Sequence, residues 1–209
     1  MIPGRRKKQM KKWYMADSHF GDDSKDILER ENRPFKTISE YTEEQIRIWN
    51  EQASPDDIIY AIGDFCDYNH LEKDFMSGLA VSSRINARII LITGTQEERV
   101  IRDHFDGDFE KFRTFCLNEP SFRFEDVVTN TYVDIGGNKF FLTHDPIDHD
   151  RSCLNLFGHI HRAGGLYRPY GFNVGVDLNH FELFDDDDIL YMLDMKVNFN
   201  DKDPSINCW

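Results

Sequence analysis

Five short segments place potential metal ligands in one ordered series along the chain. They are Asp17 and His19 in ADSH, Asp64 in GDF, Thr95 to Glu97 in GTQE, His144 in LTHD, and His159 with His161 in GHIH. An aspartate and a histidine two positions apart on an emerging loop can direct a carboxylate and an imidazole at one ion. In GHIH, Gly158 allows a tight turn, and histidines at i and i+2 can engage neighbouring ions. Mixed imidazole and carboxylate donors suit Mn, Fe, Zn or Ni better than the all-oxygen cages of Ca or Mg. Each fragment alone arises often by chance, and a lone histidine is more often a surface or satisfied core residue. The ordered set is what points to a metal centre.

Such ligands need rigid elements behind them. Runs at 13–16, 58–62 and 89–93 predict buried strands, each four to eight residues long and bounded by Gly or Asp. Each ends where a ligand segment begins, and the carboxyl ends of strands are where open α/β sheets gather their ligands. Thr42 before Glu43, Glu44 and Gln45 predicts a helix start, with Ile46, Ile48 and Trp49 as its apolar side to about Ala53. Leu71, Phe75 and Leu79 predict a second helix ending near Arg84. This alternation predicts an α/β fold with a mainly parallel inner sheet. The later half differs. Segments 131–135 and 139–143 around Gly136 and Gly137 predict a β-hairpin, and further strands are predicted at 154–157, 172–176 and 189–193. The acidic run 185–188 reads as a turn before the last of these.

The chain has 209 residues, 40% hydrophobic and 30% charged, as an ordinary globular protein has. At roughly 100–200 residues per domain it is one domain. Its four cysteines, Cys66, Cys116, Cys153 and Cys208, are widely separated with no CxxC pair, which argues against a disulfide framework or a structural zinc site. No apolar run approaches the roughly 18 residues of a membrane span, and no apolar stretch follows the basic start. A reduced, cytoplasmic protein without a membrane partner is the expectation. With 25 Lys plus Arg against 38 Asp plus Glu, the net charge is -13, which argues against broad affinity for polyanions. The charge is unevenly placed. Residues 1–12 carry six basic side chains and no acid, so setting this +6 apart leaves -19 on the body at 13–209. The basic segment reads as a solvated tail, or else as an arm reaching a polyanion such as nucleic acid.

The order D-x-H, GD, GNH[DE], H and GHxH is the signature that this chain resembles, that of the calcineurin-like metallophosphoesterases. The surrounding NRPFK, IRIWN, PDDIIYAIGDF, LTHDP, GHIH and NVGVDL resemble a small bacterial and phage branch of that family, over roughly residues 12–190. The resemblance implies a four-layer α/β/β/α sandwich with a two-metal centre at one edge. Carried over by motif, Asp17, His19 and His161 hold one divalent metal, His144 and His159 hold the other, and Asp64 bridges them. The implied activity is that of a phosphodiesterase or related hydrolase. Its two cations, about 3.5–4 Å apart, polarise a phosphoryl oxygen and turn a bridging water into the attacking hydroxide.

The third motif departs from the family. Gly94-Thr95-Gln96-Glu97 stands where the family has Gly-Asn-His-Asp/Glu. Thr95 takes the place of an amide ligand to the second metal with a shorter, poorer hydroxyl. Gln96 takes the place of a histidine that protonates the leaving group or binds the phosphate; it donates a hydrogen bond but transfers no proton at neutral pH. Three consequences compete: a weakly held second metal or a water in the Asn position, restriction to good leaving groups, or a degenerate site kept for binding. With the other ligand motifs intact, hydrolysis of a phosphodiester or nucleotide-like phosphate is the expectation, and a binding module on the same fold the alternative. Gln96, Glu97 and Arg162 are the expected catalytic residues. Arg162, directly after GHIH, is placed to touch a substrate phosphate, against the plainer reading of a surface salt bridge. His70 and His104 are alternative proton donors or simply surface histidines. Asn173 in NVGVDL is expected to order loops near the metals. Phe20 and Phe65, beside the ligand motifs, suit core packing or the wall of a base-stacking pocket.

Overall fold

The computed structural model of the protein describes residues 10–21, 26–163 and 165–200; the basic run at 1–9 and Cys208 lie outside the described residues. The chain opens with β1 (Lys12–Met15), followed by α1 (Asp26–Arg30) and α2 (Ile38–Gln52). Next come β2 (Ile58–Ile62), α3 (Glu72–Ala80) and β3 (Arg88–Ile92). Then α4 (Thr95–His104) and α5 (Phe109–Asn118) lead to β4 (Asp126–Val128). These four strands are parallel neighbours in chain order, as strand–helix alternation requires. A second sheet follows, built from β5 (Thr131–Ile135), β6 (Asn138–Leu142), β7 (Leu154–Phe157), β8 (Tyr167–Arg168) and β9 (Gly171–Asn173), in the order β5-β6-β7-β9-β8. The chain then returns through β10 (Phe184–Asp185), antiparallel to β1, and ends its described part with α6 (Asp186–Met195) and a π-helical turn, Lys196–Asn200.

Alternation along the first sheet divides the core in two. Trp13, Met15, Ile59, Ala61, Ile89 and Leu91 cluster with Trp49 of α2, Phe75 of α3, Val100 of α4 and Phe112 of α5. Their sequence neighbours Tyr14, Ala16, Ile62 and Ile92 cluster instead with Phe140, Leu142, Leu156 and Phe172 of the second sheet. The result is two sheets face to face, flanked by helices: the expected α/β sandwich. The predicted hairpin is present, pairing Thr131 with Leu142 through Ile135 with Asn138. Gly136 and Gly137 both have left-handed φ, 58° and 82°, the requirement of a two-residue turn matched to strand twist.

Three sequence expectations are corrected. Helix α2 starts one turn before Thr42: Thr37 is the N-cap, its hydroxyl accepting from the Glu40 amide at 3.1 Å. Residues 189–193 are helical, not a strand. Asp185 accepts from the amides of Asp187 and Asp188 while Asp188 accepts from the Asp185 amide, so the acidic run is a capping box at the positive end of α6. Ile189 and Met192, three apart, then enter the inter-sheet core together. Finally, the basic tail does not extend through residue 12. Lys12 lies in β1 and pairs with Asp186 at 3.2 Å, and Lys11 pairs with Asp185 at 2.9 Å. Among the described residues no helix is long and apolar enough to cross a membrane.

Candidate metal centre

Strand ends converge at one edge of the sandwich. Where β1 stops, Ala16 bridges to Gly175 beyond β9, and the chain turns through Asp17 and His19. Asp64 follows β2, Thr95 opens α4 after β3, His144 follows β6, and His159 and His161 follow β7. The backbone here is forced. Asp17, His19, Asp64, His159 and His161 all have left-handed φ, between 45° and 70°, a region non-glycine residues seldom occupy. They are five of the ten non-glycine residues with left-handed φ among the described residues, and such strain gathered on neighbouring polar side chains is typical of a site. Gly63 lies behind this cluster because any side chain there would strike the His144 ring, and Gly158 because its Cβ would stand 2.8 Å from Asp17 Oδ2.

The donor atoms point inward without partners. Asp17, His19, Asp64, His144 and His161 are 0%, 2%, 5%, 4% and 8% exposed. Asp17 Oδ1 accepts the His159 amide at 2.9 Å, and Asp64 Oδ1 accepts the Gln96 amide at 2.8 Å. Each aspartate thereby keeps its Oδ2 for the site. Asp64 Oδ2 lies 3.6 Å from His19 Nε2 and 3.4 Å from His144 Nε2, between the two imidazoles. Asp17 Oδ2, His19 Nε2 and His144 Nε2 are buried with no hydrogen-bond partner. Buried polar atoms are nearly always satisfied, so three such orphans in neighbouring candidate ligand groups fit divalent cations. Three groups among the described residues have donor atoms within 4.8 Å of one another: Asp17/His19/His161 and Asp17/Asp64/His144 at this edge, and Glu31/His161/Asp177 beside them.

The far sides of the rings are anchored, which selects the nitrogen that faces the site. His144 Nδ1 donates to the Ile62 carbonyl at 2.9 Å, His161 Nδ1 to Asp177 Oδ2 at 2.9 Å, and His19 Nδ1 lies 3.3 Å from Asp67 Oδ1. Electrostatics agree. Burial opposes a charge on His144, but the carboxylates of Asp64 and Asp17 outweigh it and raise its pKa to about 10. Burial likewise opposes a charge on His19, and Asp67 and Asp64 raise its pKa all the same. Against its own burial, the His144 and His19 rings hold the Asp64 carboxyl far below the usual range. The cluster demands positive charge.

Not every expected residue lies in this cluster. His159 is exposed; its Nδ1 is 3.2 Å from Thr95 Oγ1 and its ring stands edge-on to His144 with centroids 5.2 Å apart. Gln96 is half-buried and its Oε1 lacks a partner. Arg162 is exposed. Glu97 sits under the site, fully buried, with its carboxylate accepting the amides of Asp64, Phe65, Cys66 and Gly94 at 2.8 to 3.2 Å. It ties the loop after β2 to the start of α4. His104 ends α4, nine residues from Thr95 and some 14 Å along the axis, where it meets the Tyr68 hydroxyl. Phe20 and Phe65 are fully buried core residues. Asn173 bonds the His161 carbonyl at 2.7 Å and accepts from the Gly175 amide, so it does tie the neighbouring loops. Arg33 and Asp177 fall within NRPFK and NVGVDL but nothing there pairs them, and Asp67 had no local signal, since the partners all three meet lie far away in the chain.

No family model matches the chain. The uncharacterized protein MJ1445 of Methanocaldococcus jannaschii is 28% identical over 138 residues, 66% of this chain and 60% of that protein. The chain thus spans less than two thirds of that relative's length. Among solved structures it is similar to AQ665 of Aquifex aeolicus, a protein of unknown function, with TM-score 0.59 and 18% identity over 88% of this chain and 99% of the other. A novel archaeal phosphodiesterase is similar at TM-score 0.39 and 17% identity, over 79% of this chain and 82% of the other. The likeness to AQ665 shows a shared fold. With its two facing sheets and flanking helices, the chain shares the α/β sandwich fold of AQ665, and it gathers its D-x-H, GD, H and GHxH segments at one edge of that sandwich.

Proposed function

We propose that the chain is a hydrolase of phosphodiesters or nucleotide-like phosphates that works with two divalent cations drawn from Mn, Fe, Zn or Ni. The observation that carries this reading is the convergence of the unpartnered His19 Nε2 and His144 Nε2 on Asp64 Oδ2, with Asp17, whose Oδ2 is also unpartnered, in the same donor cluster. Asp17, His19 and His161 would hold one cation, His144, His159 and Thr95 would hold the other, and Asp64 would contribute to both. Such a pair of ions polarises a phosphoryl oxygen and supplies a strong nucleophile at neutral pH. The protein's own residues bind and orient. The Gln96 amide fixes Asp64, its side chain donates a hydrogen bond to the ester, and exposed Arg162 pairs with the substrate phosphate. Because Gln96 transfers no proton, the substrates are those whose leaving group departs unprotonated. We assign the protein to the cytoplasm, in keeping with free Cys66, Cys116 and Cys153.

The test is hydrolysis of bis(p-nitrophenyl) phosphate by the full chain with added Mn²⁺. Turnover lost in Asp64→Asn supports the hydrolase; none above that control with Mn, Ni, Co or Zn overturns it. The second reading, a binding module with an eroded third motif, is favoured by Thr95 and Gln96 alone. It expects restoration of Thr95→Asn with Gln96→His to raise the rate by about 10²–10⁴. An unmodified protein as fast as that double variant removes it.

A further inference from the structure

Behind the metal ligands lies an ion pair whose side chains are both 0% exposed. Arg33 Nε donates to Asp177 Oδ1 at 2.8 Å and Arg33 Nη2 to Asp177 Oδ2 at 2.9 Å. The same guanidinium reaches the D-x-H loop: Nη2 donates to the Asp17 carbonyl at 2.7 Å and Nη1 to the Ser18 carbonyl at 3.0 Å. It rests over the Tyr41 ring, 4.8 Å from its centroid, and the Tyr41 hydroxyl also donates to Ser18 at 2.6 Å. Asp177 Oδ2 accepts from His161 Nδ1, which turns His161 Nε2 to the site. One buried pair therefore fixes the loop bearing Asp17 and His19 and the ring of His161. Buried ion pairs are weak sources of stability, so the arrangement calls for another use.

Among the described residues no buried ion pair stands behind His144 or His159, and the Glu97 carboxylate holds the turn of Asp64, which serves both sites. His144 is anchored by one carbonyl, Ile62, and exposed His159 has the Thr95 hydroxyl as the side-chain partner of its ring. We propose that Arg33 and Asp177 are positioning residues that make the Asp17/His19/His161 site the tighter of two unequal metal sites, the site completed by His144, His159 and Thr95 being the weaker. Preset ligand orientation is what an outer partner contributes, and its loss typically lowers metal affinity about 10- to 100-fold. The inference rests on the metal reading above but not on turnover.

The test titrates the metal-stripped full chain with Mn²⁺, following free ion by electron paramagnetic resonance. Two classes of site are expected, the first at least about 10-fold tighter. Asp177→Asn weakens the tight class by about 10- to 100-fold and leaves the weak class within about twofold. Should that variant fold poorly, Arg33→Leu with Asp177→Leu leaves no unpaired buried charge and is expected to show the same loss. Thr95→Asn tightens the weak class alone. Two equal sites in the unmodified protein, or an unchanged tight class in either folded variant, overturn the proposal. Failure to bind Mn²⁺ at all overturns the metal reading as well, whereas binding without hydrolysis overturns only the proposed activity.

Discussion

His144 shows at the residue scale what the cluster requires. With Asp64 Oδ2 3.4 Å away and Asp17 near its other nitrogen, its pKa rises to about 10 against the pull of burial. In the unfolded chain it titrates near 6.5. The metal-free protein therefore keeps this contribution whole below about pH 6.5 and loses it as pH climbs through about 10. Thermal denaturation without metal is expected to show a melting temperature that falls across that window. Saturating Mn²⁺ takes the place of the proton, so the stabilisation it adds grows with pH; a flat profile for the metal-free protein contradicts this. Gly158 offers a second test. Its Cβ would stand 2.8 Å from Asp17 Oδ2, so Gly158→Ala is expected to cost about 1–3 kcal/mol in urea denaturation and to abolish Mn²⁺ binding, whereas Gly137→Ala, with open space around it, leaves binding intact. The clustering of Asp17, His19, Asp64, His144 and His161 was legible because each motif sits at a strand end. Arg33 and Asp177 stood within NRPFK and NVGVDL, but over 144 residues no spacing marked them as each other's partners.

Helix α4 does more for the site than its polar sequence suggests. Glu97, at its third residue, accepts four backbone amides, three from the loop after β2 and one from Gly94, and so ties the helix start to the turn that carries Asp64. Replacing the carboxylate by an amide removes an acceptor oxygen and sets an N–H donor against amide donors. Each buried amide left unmatched costs about 1–3 kcal/mol, so Glu97→Gln is expected to lose about 2–4 kcal/mol in urea denaturation and to weaken Mn²⁺ binding with it. A loss of stability with unchanged metal affinity would separate the helix from the site. The same element shows why part of the fold was hidden. In TQEERVIRDH only Glu97, Val100 and Ile101 are buried, too thin an apolar stripe to announce a helix. At residues 185–193 the pattern misled instead, because four aspartates read as a turn when they are the cap and first turn of α6. The parallel strands β1, β2 and β3 were plain, since two-sided burial writes continuous apolar runs, whereas three-residue β4 went unread.

Charge is the property that belongs to the whole molecule, and the structure redistributes it. Lys11 and Lys12 are held by Asp185 and Asp186, so of the six basic residues at 1–12 only Arg5, Arg6, Lys7 and Lys8 stand outside these pairs. The body, which now includes those two lysines, bears -17 of the total of -13 once the four are set apart. Opposite salt responses follow for the two parts. A small anionic diester approaching the metal centre meets a body of its own sign, so raising salt from about 20 to about 200 mM screens the repulsion and is expected to raise kcat/KM. A single-stranded oligonucleotide attracted by the basic segment is expected to bind less tightly as salt rises. Four contacts set that slope no steeper than about -3 in log K against log salt. Deleting residues 1–9 removes the second response and leaves the first unchanged. Oligonucleotide binding that survives the deletion assigns it to the body, which this charge distribution forbids, whereas a steeper slope in the full chain means that Lys11 or Lys12 releases its aspartate to join the contact.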